Sequence, residues 1–237
     1  MLSLGIDCSE FGVSVALAKE SELLSQLTCG ANKKTSKFLV SQIEQLFENN
    51  DQELKEVKRI CVAYGPGSFT GLKISVTAGK VLALCNQAKL YGISSLKNLS
   101  YPLLGTNQPV LAMLSARHGN FYAGVYQKQN SNIVSLVPDE YVNFSKLETQ
   151  ISDFKNLLII GSGLDEFIDK LQKYGAVVSA NLNNLIPGGY STILLSENER
   201  SMDPEKFVPM YLRDPQAVLN WKKNRLDSES IKYVEEI

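Results

Sequence analysis

The chain is poor in histidine and tryptophan: it has one of each, His118 and Trp221. A single histidine cannot build a histidine triad around a metal, and a Ser-His-Asp machine would have to use that one residue. Cysteine is sparse too. Cys8, Cys29, Cys61 and Cys85 all lie within the first 85 residues, and no two are three apart. A disulfide framework would be denser and a zinc site would show paired spacing, so reduced, mostly buried thiols of a cytosolic protein are the simple reading. No charge sign dominates. Lys plus Arg number 24 and Asp plus Glu 25, a net charge of -1, which excludes nucleic-acid binding by bulk charge alone. With 44% apolar residues the composition also argues against disorder. No run approaches the roughly 18 apolar residues of a membrane span. The opening Met1-Leu2-Ser3-Leu4-Gly5-Ile6-Asp7 has no basic region and an early acid, so it does not read as a signal peptide. The expectation is a cytoplasmic protein without membrane association.

A length of 237 residues suits one large domain or two small ones. Leu2–Ile6, Gly12–Ala18 and Leu23–Thr28 read as a three-stranded antiparallel meander, with Asp7-Cys8-Ser9-Glu10 and Glu20-Ser21 as its turns. A helix follows over about Thr35 to Glu48, where Leu39, Ile43 and Leu46 fall at helical spacing beside Phe38 and Phe47, with Thr35 or Ser36 as cap. Then come a strand at Arg59–Ala63, a glycine-rich turn, a helix from about Thr70 to Asn86, a strand at Lys89–Ile93 and a helix at Ser95–Leu104. Beyond Gly105–Pro109 the pattern repeats: strands at Val110–Ser115, Phe121–Gln127 and Asn132–Pro138, then helices near Ser145–Ser152 and Leu164–Lys173 flanking a strand at Leu157–Ile160. A helix opened by Gly188-Gly189 ends near Ser196. Strands alternating with helices place parallel pairs in each sheet, and the echo reads as an internal duplication. The stretch from Trp221 is mixed-charge and reads as a solvated helix or tail.

Gly65-Pro66-Gly67-Ser68-Phe69-Thr70-Gly71-Leu72-Lys73 is the densest chemical signal. Between a strand and a helix, its amides could cradle an anion. Walker A fails, because five residues separate Gly65 from Gly71 and Lys73 comes one late; the dinucleotide fingerprint and the esterase elbow fail on spacing too. A tight turn with Ser68 or Thr70 capping the helix is favoured slightly over phosphate binding. Asp7 could hold a metal through water, or more simply close an Asx turn. Asp7, Gly65, Gly67 and Ser68 are therefore weak cofactor-binding candidates, and no catalytic or metal residue is assigned. Asp165 and Asp139 could be recruited beside His118 only on paper; the Arg117-His118-Gly119-Asn120 stretch reads as a surface turn. Lys33, Lys34 and Lys37 read as a solvated basic face.

The helix opened by the glycine turn carries two apolar rows: Leu72, Val76, Gly79 and Ala83, and Ile74, Ala78, Val81 and Cys85. Such a helix is either buried all round or shared with a partner. The partner-surface candidates are Phe38, Leu39, Ile43 and Leu46 on the first helix, and Thr70, Lys73, Val76, Thr77, Gly79, Lys80 and Ala83 on the second.

Asp7-Cys8-Ser9, the run from Gly65 to Ile74, and Pro209-Met210-Tyr211-Leu212-Arg213 together resemble the bacterial TsaB (YeaZ) family. The likeness runs from Met1 to about Leu219. It implies the α/β actin-like ATPase (ASKHA) fold, with two similar lobes of mixed sheets flanked by helices. Residues 1–104 would form the N-terminal lobe, rejoined by about 204–220; residues 105–203 would form the C-terminal lobe, with 221–237 a tail. The resemblance further implies a non-catalytic scaffold in the making of threonylcarbamoyladenosine at position 37 of tRNAs that read codons beginning with adenine. Its implied partners are TsaD, the paralogue that holds the metal and transfers the group, and TsaE, a small ATPase. ATP and metal would belong to the complex, tRNA would be met through it, and the chain alone would pair with itself. Three positions depart from the family pattern: Thr35-Ser36 where His-Ser is common, Ser115-Ala116-Arg117 for Asp-Ala-Arg, and Lys73 for Arg. The competing readings are a kinase or ATPase with nucleotide between the lobes, using Asp7 and Asp165, and, behind it, a peptidase.

Overall fold

The computed structural model describes residues 1–10, 12–30, 35–130, 132–179 and 188–214. Lys33, Lys34, the side chains of Thr35, Ser36 and Lys37, and the mixed-charge tail lie outside the described part.

The first half forms β1 (Leu2–Asp7), β2 (Gly12–Lys19), β3 (Glu22–Gly30), α1 (Thr35–Glu48), β4 (Val57–Gly65), α2 (Phe69–Asn86), β5 (Lys89–Ser94) and α3 (Ser95–Ser100). The second half forms β6 (Val110–Ser115), β7 (Asn120–Gln129), β8 (Asn132–Asn143), α4 (Phe144–Ile151), β9 (Leu157–Gly161), α5 (Ile168–Leu171), β10 (Gly175–Ser179) and α6 (Gly189–Leu195). Two five-stranded sheets result, ordered β3-β2-β1-β4-β5 and β10-β9-β6-β7-β8. In each, the first three strands pair antiparallel and the last two join in parallel. The wiring of the halves is the same, so the duplication read from the sequence is present in three dimensions. The architecture is two lobes of mixed sheet flanked by helices, the arrangement that the resemblance implies.

The alternation of side chains explains how each sheet is covered. Leu2, Leu4 and Ile6 of β1, with Val13, Val15 and Leu17 of β2, face the core under α1 and α2. The intervening positions are small: Ser3, Gly5, Ser14, Ala16 and Ala18. They leave a shallow face on which α6 lies so closely that a Cβ on Gly5 would run into the Gly189 carbonyl. Thus α6, expected within the second lobe, packs on the first sheet, where Ile193 joins Ala16, Ala18 and Cys61. Reciprocally, Leu96 and Leu99 of α3 pack with Val110, Ala112 and Leu114 of the second sheet. The third helix of each half crosses to the other sheet. Residues 202–211 also return to the first lobe, with Phe207 in its core.

Several boundaries differ from expectation. The helix expected at Ser95–Leu104 stops at Ser100 and continues as a 3-10 turn over Tyr101–Leu103, because Pro102 cannot extend it. β8 runs past Pro138 to Asn143, since the pairing shifts register opposite Gly124 and a bulge tolerates proline. The helix expected at Leu164–Lys173 is a 3-10 turn followed by the four-residue α5. β10 is a further strand that the sequence reading does not contain.

Candidate functional site

The glycine-rich turn sits where β1, α2 and the C-terminal segment converge. Ser68 caps α2: its hydroxyl accepts from the Gly71 amide at 3.4 Å, as expected of an N-cap serine. The Ser68 amide donates to the Ser9 carbonyl at 2.6 Å. A Cβ on Gly65 would collide with the Met210 carbonyl, on Gly67 with the Ser9 carbonyl, and on Gly71 with the Cys8 carbonyl. The turn is pressed backbone to backbone onto the β1–β2 connection. Two amides that a phosphate cradle would need are engaged within the protein.

Asp7 is 4% exposed and fully engaged. Its Oδ1 accepts from the Ser9 amide at 2.8 Å and the Ser9 hydroxyl at 2.7 Å, the Asx turn expected from sequence. Its Oδ2 accepts from Asn98 Nδ2 of α3 at 2.7 Å, and Asn98 Oδ1 in turn lies 2.5 Å from the Ser191 hydroxyl of α6. Burial pushes the Asp7 carboxyl above its ordinary pKa, and the Ser9 and Asn98 hydrogen bonds oppose that shift. The result is a buried polar chain from β1 through α3 to α6. Asn98 and Ser191 were not singled out from sequence. No local signal marked Asn98, since α3 reads Ser95-Leu96-Lys97-Asn98-Leu99-Ser100 and is mostly polar.

Glu10, also missed, is half-buried beside this chain, and burial, with the nearby Asp7 charge, pushes its carboxyl up to about 8. Asp165 is exposed on a 3-10 turn, and no contact among the described residues joins it to Asp7. Asp139 is engaged elsewhere, bonded to Tyr126 and, at 2.5 Å, to the Ser94 hydroxyl. His118 is exposed in the β6–β7 turn with positive φ, as expected. Among the described residues no cluster of three or more His, Cys, Asp or Glu could hold a metal.

The partner-surface candidates divide by face. Leu39, Ile43, Leu46, Val76, Gly79 and Ala83 are buried, and a Cβ on Gly79 would collide with Val62 of β4. These six belong to the lobe core, which corrects the expectation that they face a partner. The reason is periodicity: the row that looked shareable is the one that covers the sheet. Of the second apolar row, Ile74 and Ala78 also pack half-buried against the core, and the outer row runs through Thr70, Lys73, Thr77, Val81 and Leu84. Thr70, Lys73 and Thr77 are exposed, Val81 is 51% and Leu84 48% exposed, and Lys80 is half-buried with its Nζ donating to the Glu205 carbonyl at 2.7 Å. Phe69 lies exposed at the head of this row, its ring 5.1 Å from that of Tyr211 and 4.3 Å from Lys73 Nζ. On α1, Phe38 and Val40 are exposed.

A family model for TsaD, tRNA N6-adenosine threonylcarbamoyltransferase, matches residues 30–221. The chain belongs to the TsaD family. Within that family its resemblance is to TsaB (YeaZ) proteins. The tRNA threonylcarbamoyladenosine biosynthesis protein TsaB of Bacillus subtilis (strain 168) is 27% identical over 227 residues, which cover 93% of this chain and 98% of that protein. TsaB of Escherichia coli (strain K12) is 23% identical over 235 residues, covering 94% and 98%. The structure of YeaZ from Pseudomonas aeruginosa superposes with a TM-score of 0.72 at 22% identity, covering 89% of this chain and 99% of that one. A second P. aeruginosa structure, described as similar to peptidase YeaZ, reaches 0.77 at 22% identity, covering 90% and 99%. These two share the fold. No helix among the described residues is long and apolar enough to cross a membrane.

Against the TsaB pattern, the three departures fall at different places. Lys73 stands on the outer row of α2 above the Phe69 ring. Ser115 lies at the end of β6, its amide donating to the Ser162 hydroxyl at 3.2 Å. Thr35 and Ser36 fall at the start of α1, outside the described side chains.

Proposed function

We propose that this chain is a non-catalytic subunit of the machinery that installs threonylcarbamoyl on adenosine 37 of tRNAs reading codons that begin with adenine, acting through a heterodimer with TsaD. The observation that carries the reading is the outer row of α2. Phe69, Val81 and Leu84 hold apolar surface out of the core, interleaved with Thr70, Lys73 and Thr77, along a helix whose other face is fixed in the lobe. A helix face of that composition gains by covering its apolar area. TsaD supplies the metal and the transfer chemistry, TsaE joins as the ATPase, and tRNA is met through the complex in the cytoplasm. In the absence of TsaD the same row suits an isologous homodimer. The engagement of the Ser68 and Gly71 amides and of both Asp7 carboxylate oxygens supports this reading over a kinase or ATPase.

The experiment is co-purification with TsaD from the same source, using Leu84→Glu on the outer row. The side chain is exposed, so folding is retained, while a charge placed in a contact lowers affinity by at least about 10-fold, the equivalent of ~1.4 kcal/mol. Wild-type affinity from folded Leu84→Glu contradicts the proposed surface.

A further inference from the structure

We propose that residues 202–213 are a strut that fixes the second lobe relative to α2, and that an occupant of the outer row of α2 acts on the second lobe through it. The segment is fastened along the first lobe at successive points. The Met202 amide donates to the Leu90 carbonyl of β5 at 2.8 Å, and the Glu205 carbonyl accepts from Lys80 of α2 at 2.7 Å. Phe207 is 2% exposed and stacks on Tyr64 with ring centroids 5.7 Å apart. The Met210 amide donates to the Tyr64 carbonyl at 2.8 Å, and Tyr211 meets Phe69 at the start of α2. Two residues later the chain is bound to the other lobe. Arg213 donates to the Ala116 carbonyl, after β6, at 3.2 Å, and its guanidinium lies 5.3 Å from the centroid of the Tyr141 ring on β8.

The spacing gives the device its stiffness. From Tyr211 to Arg213 the backbone reaches at most about 7 Å, since an extended residue spans ~3.3–3.6 Å. The backbone between the α2 anchor and the second-lobe anchor is therefore short, and the rest of the span is bridged by the Tyr211 and Arg213 side chains. A guanidinium that both donates to a carbonyl and lies by an aromatic ring is held in orientation as well as position, which a lysine ammonium would not be. Phe69 is at once the head of the outer row and the ring against which Tyr211 rests, so whatever displaces or pins Phe69 displaces or pins the strut.

The coupling half of this inference rests on α2 being the TsaD docking face; the strut half does not. Spin labels at Glu22→Cys on β3 and Thr149→Cys on α4, with Cys29 and Cys85 changed to serine, report the distance between the lobes. In the free protein, Arg213→Ala and, at the other anchor, Tyr211→Ala are expected to broaden the inter-lobe distance distribution, with Arg213→Lys between them and wild type. Added TsaD is expected to narrow the wild-type distribution and to leave the Arg213→Ala distribution broad even when that variant is bound. Distributions for both variants that match wild type overturn the strut. TsaD that binds wild type without changing its distribution overturns the coupling. TsaD that fails to bind overturns the docking reading and the coupling with it, while the strut stands or falls on the free-protein distances.

Discussion

At the scale of single residues, the glycines of the turn are chosen by what lies above them. Gly67 faces the Ser9 carbonyl and Gly71 the Cys8 carbonyl, leaving no space for a Cβ at either. Gly67→Val should therefore move the turn off the β1–β2 connection, at a cost of about 3 kcal/mol or more. Because the turn sets the start of α2, melting temperature and TsaD affinity should fall together, and threonylcarbamoyladenosine in cellular tRNA with them. A phosphate-binding turn predicts a stable, assembled variant without modification. Glu10 gives a second prediction. Its folded-state carboxyl titrates near 8, above the ordinary 4.5, so between those values the folded protein holds a proton that the unfolded chain has released. The stability this contributes is full below that window and is lost as pH rises through it. Glu10→Gln, which cannot ionise, should gain stability over wild type between pH 5 and pH 8, seen as diverging melting temperatures. Parallel melting curves across that range would contradict the burial of this carboxyl.

The element scale is where α2 has to be read face by face. Eighteen residues with apolar or small side chains around most of the circumference do not reveal which row is the core. The row from Leu72 to Ala83 meets β4, Ile74 and Ala78 of the second row pack half-buried against the same core, and Thr70, Lys73, Thr77, Val81 and Leu84 turn outward. Two aspartate substitutions separate them. Val76→Asp buries an unpaired charge at a 4% exposed position and should unfold the lobe, costing several kcal/mol. Val81→Asp, at 51% exposure, should leave the melting temperature within a few degrees of wild type and weaken only assembly. Circular dichroism melts alongside TsaD pull-downs distinguish the two. The sequence carried the strands and long helices because their signals are local: the alternation of Val13, Val15 and Leu17 with smaller residues, and Leu39, Ile43 and Leu46 at helical spacing. β10, the split of the helix after Leu164 and the bulge that carries β8 past Pro138 depend on a neighbouring strand or on tertiary packing. No local pattern reports them.

At the scale of the whole molecule, duplication and exchange explain both the stability of the lobes and the location of the buried polar chain. Each half lends its third helix to the other sheet, and Asp7, Asn98 and Ser191 tie β1, α3 and α6 at that crossing. Asp7 could be read from its turn with Ser9, but Asn98 lies 91 residues from it and Ser191 another 93 beyond, so the chain of hydrogen bonds was not legible in one dimension. The same holds for the strut, whose Pro209–Arg213 motif was visible while its anchors on α2 and the second lobe were not. As proposed, the chain contributes a surface to TsaD and no active site of its own. The most direct test is reconstitution of tRNA threonylcarbamoylation with TsaD and TsaE, adding the wild-type chain, Asp7→Asn or Leu84→Glu. Asp7→Asn keeps the side chain's size and leaves the outer row untouched. Modification is expected to persist with Asp7→Asn at no less than about a tenth of the wild-type rate, a tenfold loss being ~1.4 kcal/mol, and to collapse with folded Leu84→Glu. Loss of modification with folded, TsaD-bound Asp7→Asn, alongside full activity of Leu84→Glu, would contradict it.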